Sequence, residues 1–281
     1  MSSRLIAMPE QISFANRRLI GVAVTAIAIM LSLALVWLID IRLGHASVFS
    51  GSVLLACLLG LMLIGVRRRL PILPLGKVST WTQVHLYVGF FSSAIYWMHV
   101  PAIVGDGVLE CSLSIVFLVV TISGYYGLYA SRTLPKRLTA VEGQHRFDRI
   151  QWHRDQISSS ARELLDGLSE ASAVRVLGNF YTKYLFPFFE TRPSLTYLMV
   201  PNGIRRRRLT NGLKELDRYL EDEGRASAGK LIALVRHRDD LDYQLAIQLR
   251  LRVWLVVHGT MSTVLLVASI VHAFVALRHL G

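Results

Sequence analysis

Five stretches of the chain, residues 19–39, 48–66, 84–104, 112–130 and 253–277, are each about twenty residues long and dominated by apolar side chains. A helix of about 20 such residues crosses the roughly 30 Å hydrocarbon core of a bilayer, and a helix satisfies its own backbone there. The expected fold is therefore all-α, a bundle of five transmembrane helices. The first stretch follows Arg17 and Arg18. It is too long for the apolar core of a signal peptide and has no small-residue cleavage site after it, so it is expected to be retained as a span.

Positive charge gives the direction of each span. The loop carrying Arg67, Arg68, Arg69 and Lys77 is strongly basic, whereas the loop carrying Asp106 and Glu110 has no Lys or Arg. By the positive-inside rule the first is cytoplasmic and the second is not. Arg42 and Arg278 are minor exceptions on the outer side. The N-terminus is then expected inside and the C-terminus outside a bacterial cytoplasmic membrane. This divides the chain into four spans over 1–130, a charged helical cytoplasmic insertion over 131–250, and the last span over 251–281.

The insertion holds 21 of the 31 basic residues and 15 of the 19 acidic ones, so it is net positive. In a chain that is 53% hydrophobic, the overall charge of +12 points to loops facing anionic lipid rather than to nucleic acid binding. Thr139 and Glu142 have capping-box spacing at the head of a helical run to about 176. Pro187 and Pro193 bracket Phe186, Phe188 and Phe189, which suggests a break there, and Asn202-Gly203 marks a turn. Leu209, Leu213, Leu216 and Leu220 recur at helical spacing. From about 228 the pattern runs unbroken into the last span, as one long helix. Arg205 to Arg208 form the densest charge run, expected as a solvated or lipid-facing patch, and Tyr125, Tyr126 and Tyr129 fit an interfacial aromatic belt.

Ionisable residues are costly in hydrocarbon and usually mark function there. His85 and His99 lie fourteen residues apart on the third span, and His258 and His272 lie fourteen apart on the fifth. Fourteen residues of helix rise about 21 Å and turn to within about 40° of four full turns, so each pair shares roughly one face at two depths. With one span between them, the two helices run in the same direction, and each depth receives one histidine from each. Paired neutral imidazoles suit haem iron, and bis-imidazole ligation favours electron transfer over oxygen activation. Small residues at Gly89, Ser92, Ser93, Ser262 and Ser269 would admit a flat ring near the backbone. Cys57 and Cys111 build no covalent attachment motif, so two haem b groups would be held non-covalently. Arg250 and Arg252 precede His258 and are candidate contacts for the propionates of the inner haem. His45 and His279 fall just beyond spans as interfacial residues. His145, His153 and His237 read as a solvated helix surface.

The twice-repeated His-x13-His spacing on parallel helices resembles the four-histidine core of the respiratory and photosynthetic cytochrome b family. The likeness covers the third to fifth spans and implies that the four histidines are axial ligands. The long insertion departs from that family's pattern, and its quinone-site motifs are not recognisable. The segment Ser123-Gly-Tyr-Tyr-Gly-Leu-Tyr129, Leu134-Pro-Lys-Arg-Leu138 and Asp239-Asp-Leu-Asp-Tyr243 also resemble a group of bacterial membrane cytochrome-like proteins. The general plan resembles membrane cytochrome b subunits that anchor redox enzymes, and the expected function is an electron-transfer subunit of a membrane oxidoreductase, linking a quinone pool or cytoplasmic donor to a redox partner protein. Two alternatives stay open, a stand-alone ferric-type reductase and a haem-free membrane scaffold or sensor. The chain carries no glycine-rich nucleotide loop and no nucleophile elbow, which argues against a flavin or nicotinamide domain.

Overall fold

The computed structural model describes residues 14–42, 44–69, 76–100, 102–139, 143 and 145–279. Among them the chain is all-helical, with no strand. Ten α-helices follow in order: α1 Phe14–Ile41, α2 Ala46–Arg69, α3 Val78–His99, α4 Val108–Thr139, α5 Phe147–Asp166, α6 Ala171–Phe180, α7 Phe186–Glu190, α8 Leu195–Met199, α9 Ile204–Leu216 and α10 Asp222–Arg278. Four of these, α1, α2, α4 and α10, are long and apolar enough to cross a membrane. On α1 the side chains of Leu19, Met30 and Trp37 are 65–70% exposed, a surface suited to lipid rather than water.

The expected third span becomes α3, whose 22 residues are long enough to cross but hold no continuous 18-residue stretch as apolar as those of the other four. Several of its polar side chains turn toward neighbouring helices. Ser92 and Tyr96 are buried, Tyr96 stacks on Phe117 of α4 with ring centres 4.3 Å apart, and the Tyr87 hydroxyl donates to the Arg18 carbonyl of α1. The helix also stops at His99, five residues short of the apolar stretch. Val100 is extended, as the residue before a proline prefers, and Pro101 follows in the sequence.

The chain forms two compact units, Met1–Leu128 with Val257–Gly281, and Tyr129–Val256. In the first, α2, α3 and parts of α4 and α10 pack around Leu58, Tyr96, Phe117 and Leu265, and α1 lies against α2 and α3. The second is built on one apolar core. Ile150, Ala161, Leu177, Leu185, Leu213 and Leu231 are fully enclosed, and Phe188 and Phe189 are almost so. A second small cluster joins Ala130 and Leu134 of α4 to Ile247 of α10, which holds α4 helical through Pro135.

Three sequence expectations are corrected in this second unit. The break expected at the aromatic stretch comes later, after Glu190, because a π-helical turn at Tyr181–Leu185 carries the chain into α7 with Pro187 in its first turn, where no backbone donor is needed. The long last helix begins at Asp222 and passes through Gly224, Gly229 and Gly259 without a break. His145 lies before α5 rather than on a helical face with His153. The expected capping box rests on Glu142, which is outside the described residues. What ties the start of α5 to α10 is a pair of glutamines. The Gln244 side chain accepts from the His145 N–H and donates to the Gly143 carbonyl at 3.0 Å each, and Gln248 donates to the His145 carbonyl at 2.9 Å.

Candidate functional site: two imidazole pairs

In the first unit α3 and α10 bring the four histidines together in two pairs. The ring centres of His85 and His258 are 6.5 Å apart with planes at 72°, and those of His99 and His272 are 6.4 Å apart with planes at 80°. The earlier histidine of each helix meets the earlier one of the other, and the later meets the later, so the two helices run in the same direction.

Each imidazole has a specific partner on Nδ1. His85 Nδ1 lies 3.2 Å from the Leu61 carbonyl oxygen on α2. A carbonyl can only accept, so the proton sits on Nδ1 and Nε2 carries the lone pair. His99 Nδ1 lies 3.1 Å from Ser50 Oγ, and that hydroxyl gives its proton to the Ala46 carbonyl at 3.0 Å. With its proton on that carbonyl, the Ser50 oxygen is free to accept from Nδ1–H. His258 repeats the arrangement on α4, with Nδ1 2.6 Å from Ser123 Oγ while Ser123 donates to the Val120 carbonyl at 2.9 Å. His272 Nδ1 faces the Glu110 carboxylate at 3.7 Å. The carbonyl fixes this tautomer at His85, and the other three partners are compatible with it; a proton on Nδ1 leaves the Nε2 lone pair for a ligand.

The backbone makes room for these rings. A Cβ on Gly51 would lie 2.9 Å from His99 Cε1, so α2 approaches that ring only because residue 51 is glycine. Gly89, one turn from His85, has nothing within 4 Å of where a Cβ would stand. Ser92, Ser93 and Ser262 donate to the carbonyls of Val88, Gly89 and His258 one turn back on their own helices, so their hydroxyls are satisfied where they stand. An imidazole–metal bond is about 2 Å long and the ring centre lies about 1 Å behind the nitrogen, so two imidazoles on opposite sides of one iron have centres about 6 Å apart. Both pairs have that separation. Among the described residues no group of three or more His, Cys, Asp or Glu is placed to hold a metal ion, so the two-ligand pairs are the metal-binding candidates.

The remaining candidates fall elsewhere. Arg250 donates to the Met199 carbonyl at 3.1 Å, and the Arg252 guanidinium lies 4.1 Å over the Phe147 ring, contacts that occupy both cations within the second unit. His45 and His279 are exposed. His145 and His153 are not merely solvated, because their rings lie 3.9 Å apart with His237 6.1 Å from the first. Burial and the two neighbouring imidazoles hold the His145 pKa below the ordinary value. Cys57 and Cys111 are free thiols. Sequence reasoning missed Ser50, Gly51, Leu61, Glu110 and Ser123 as partners. The small pair Ser50-Gly51 and the isolated acid Glu110 beside a span were the available signals.

The second unit has a cavity of about 500 Å³ lined by Phe188, Tyr197, Met199, Arg205, Asp239 and Asp242, among others. Asp239 is 7% exposed and accepts from the Tyr197 hydroxyl at 3.2 Å. Burial pushes its carboxyl from the ordinary 3.8 up to about 6. A raised carboxyl pKa means that the folded chain holds this proton where the unfolded chain has lost it. The cost of ionising Asp239 in place therefore grows as pH rises from about 4 to 6 and is fully present above that, up to about 3 kcal/mol. Asp239→Asn, whose amide oxygen still accepts from Tyr197, is expected to stabilise the unit at pH 8 and to match the parent at pH 4. Thermal melts of the purified protein at the two pH values check this, and equal gains at both would refute it.

No protein-family model matches the chain, and no curated protein or solved structure is significantly similar to it.

Proposed function

We propose that the chain is a membrane di-haem b-type cytochrome that carries electrons across the membrane between a quinone pool or cytoplasmic donor and a redox partner protein. In this reading α3 is a fifth span beside the four apolar helices, the N-terminus is cytoplasmic, and residues 131–250 form a cytoplasmic insertion. The observation that carries it is the pair of imidazole pairs, spaced for one iron each, with an oxygen within 3.2 Å of three of the Nδ1 atoms and a carboxylate 3.7 Å from the fourth. Haem supplies one-electron redox chemistry when bound.

The protein residues would do the rest. His85 and His258 would hold one iron, and His99 and His272 the other, through Nε2. Two histidines per iron would leave no position open, which would suit electron transfer. Leu61, Ser50, Ser123 and Glu110 would keep the rings oriented and raise their basicity as ligands. The chain made with ample haem should show a sharp reduced α-band and two haems per polypeptide. A colourless preparation would leave the haem-free scaffold as the reading. Reduction by quinol in membranes then separates a quinone-linked subunit from a stand-alone ferric-type reductase.

A further inference from the structure

The segment from α8 into α9 shows water a surface that water does not favour. Leu195, Met199, Val200 and Ile204 are 78%, 72%, 70% and 59% exposed, within ten residues of chain. Four arginines, Arg205 to Arg208, follow directly, and of these only Arg206 has an ion pair among the described residues, to Asp240 at 3.0 Å and Asp239 at 3.8 Å. The apolar side chains are held outward by anchors on the opposite side. Tyr197 turns inward to Asp239, and the Arg205 guanidinium stacks 4.9 Å from the Phe188 ring centre.

The position of this patch along α10 suggests its partner. Arg250 donates to the Met199 carbonyl at 3.1 Å. From Val253 onward α10 is apolar, with Val253, Leu255 and Val256 about half exposed or more. Arg250 and Val253 are separated by only about 4.5 Å of helix rise. The patch is thus tied to α10 at the level where its sequence changes from charged to lipid-like. Exposed apolar side chains beside uncompensated arginines match the boundary between acyl chains and anionic headgroups.

We infer that residues 195–208 form a strap that docks on the surface of the bilayer the chain itself crosses, with the four apolar side chains among the acyl chains and Arg207 and Arg208 on anionic headgroups. This rests on the reading of α10 as a span.

The full chain, with Cys57→Ala and Cys111→Ala, carries an environment-sensitive fluorophore at Leu195→Cys or, as a reference inside α10, at Val264→Cys. Each is placed in lipid nanodiscs containing phosphatidylglycerol, with brominated acyl chains as quencher. The expected result is blue-shifted, strongly quenched emission from both positions. At residue 195 the quenching should fall at least about twofold in purely zwitterionic discs, and equally on changing Arg207 and Arg208 to Gln. The reference at 264 should not change.

Quenching at 264 with water-like emission at 195 overturns the strap while leaving the span intact. Quenching at 195 that ignores both lipid charge and the arginines overturns it too. A blue shift at 195 without bromolipid quenching means that a second copy or another protein covers the patch, and refutes the lipid assignment. Absence of quenching at 264 removes the span and the strap together.

Discussion

His99→Ala and His272→Ala are each expected to lower the haem content from two per chain to one, with one component lost from a redox titration and the other kept. Each change removes one of the two ligands that would grip a single iron, and the other imidazole pair lies about 21 Å along the same helices. His85→Ala and His258→Ala should give the complementary loss. A sharper form of the test keeps all four histidines. Gly51→Val places a side chain where the Cβ alone would stand 2.9 Å from His99 Cε1. The ring must move by more than a ligand bond tolerates, so the same component should disappear. Ser50→Ala removes only the Nδ1 partner and should weaken haem retention by about 10- to 100-fold, the usual range for such supporting contacts. Haem-to-protein ratio and potentiometry read all of these. Loss of both haems from Gly51→Val, with the protein still folded, would count against two separate sites.

The histidine pairs were legible in the sequence because helical periodicity alone puts residues fourteen apart on one face. Their partners were not. Which residue meets Nδ1 depends on how α2 and α4 are rotated against α3 and α10, and a partner such as the Leu61 carbonyl has no side-chain signature at all. The apolar helices α1, α2, α4 and α10 were visible for the reason that makes α3 ambiguous. Hydropathy averages over a helix, and α3 spends its polar residues on neighbouring helices rather than presenting a uniformly apolar surface. The charged stretch before the last span was the least legible part. Its helical leucines were readable, and Leu209, Leu213 and Leu220 are indeed buried. Nothing in a run rich in Arg and Asp distinguishes the charges that face water from those that go inside, and Arg238 is completely buried.

That buried charge gives the largest stability effect expected of the second unit. Arg154 and Arg238, from α5 and α10, are 3% and 0% exposed, and both converge on Asp242, which is 6% exposed. Asp242 lies in an ion pair with Arg154, Nε to Oδ1 at 3.2 Å, and accepts from Arg238 Nη1 in a short contact. Both guanidiniums also donate to the Thr191 carbonyl at the end of α7, at 2.9 and 3.0 Å, and Arg154 donates to the Gln151 amide oxygen at 2.7 Å. Two cations share one anion, so the carboxylate is what makes their burial tolerable. Asp242→Ala leaves both guanidiniums desolvated without it, and breaking a buried pair in this way costs about 3–5 kcal/mol. A matching fall in melting temperature is on the order of 10 °C. Asp242→Asn, which keeps a hydrogen-bond acceptor at the same place but not the charge, should fall between the alanine variant and the parent. Limited proteolysis should then cut within Tyr129–Val256, while the reduced haem spectrum persists, because none of the four histidines belongs to that unit. Simultaneous replacement of Arg154, Arg238 and Asp242 by Met, Leu and Leu removes the charges as well as the pairing and should recover most of the lost stability. If the triple variant is as unstable as Asp242→Ala, packing around α7 rather than uncompensated charge is the cause.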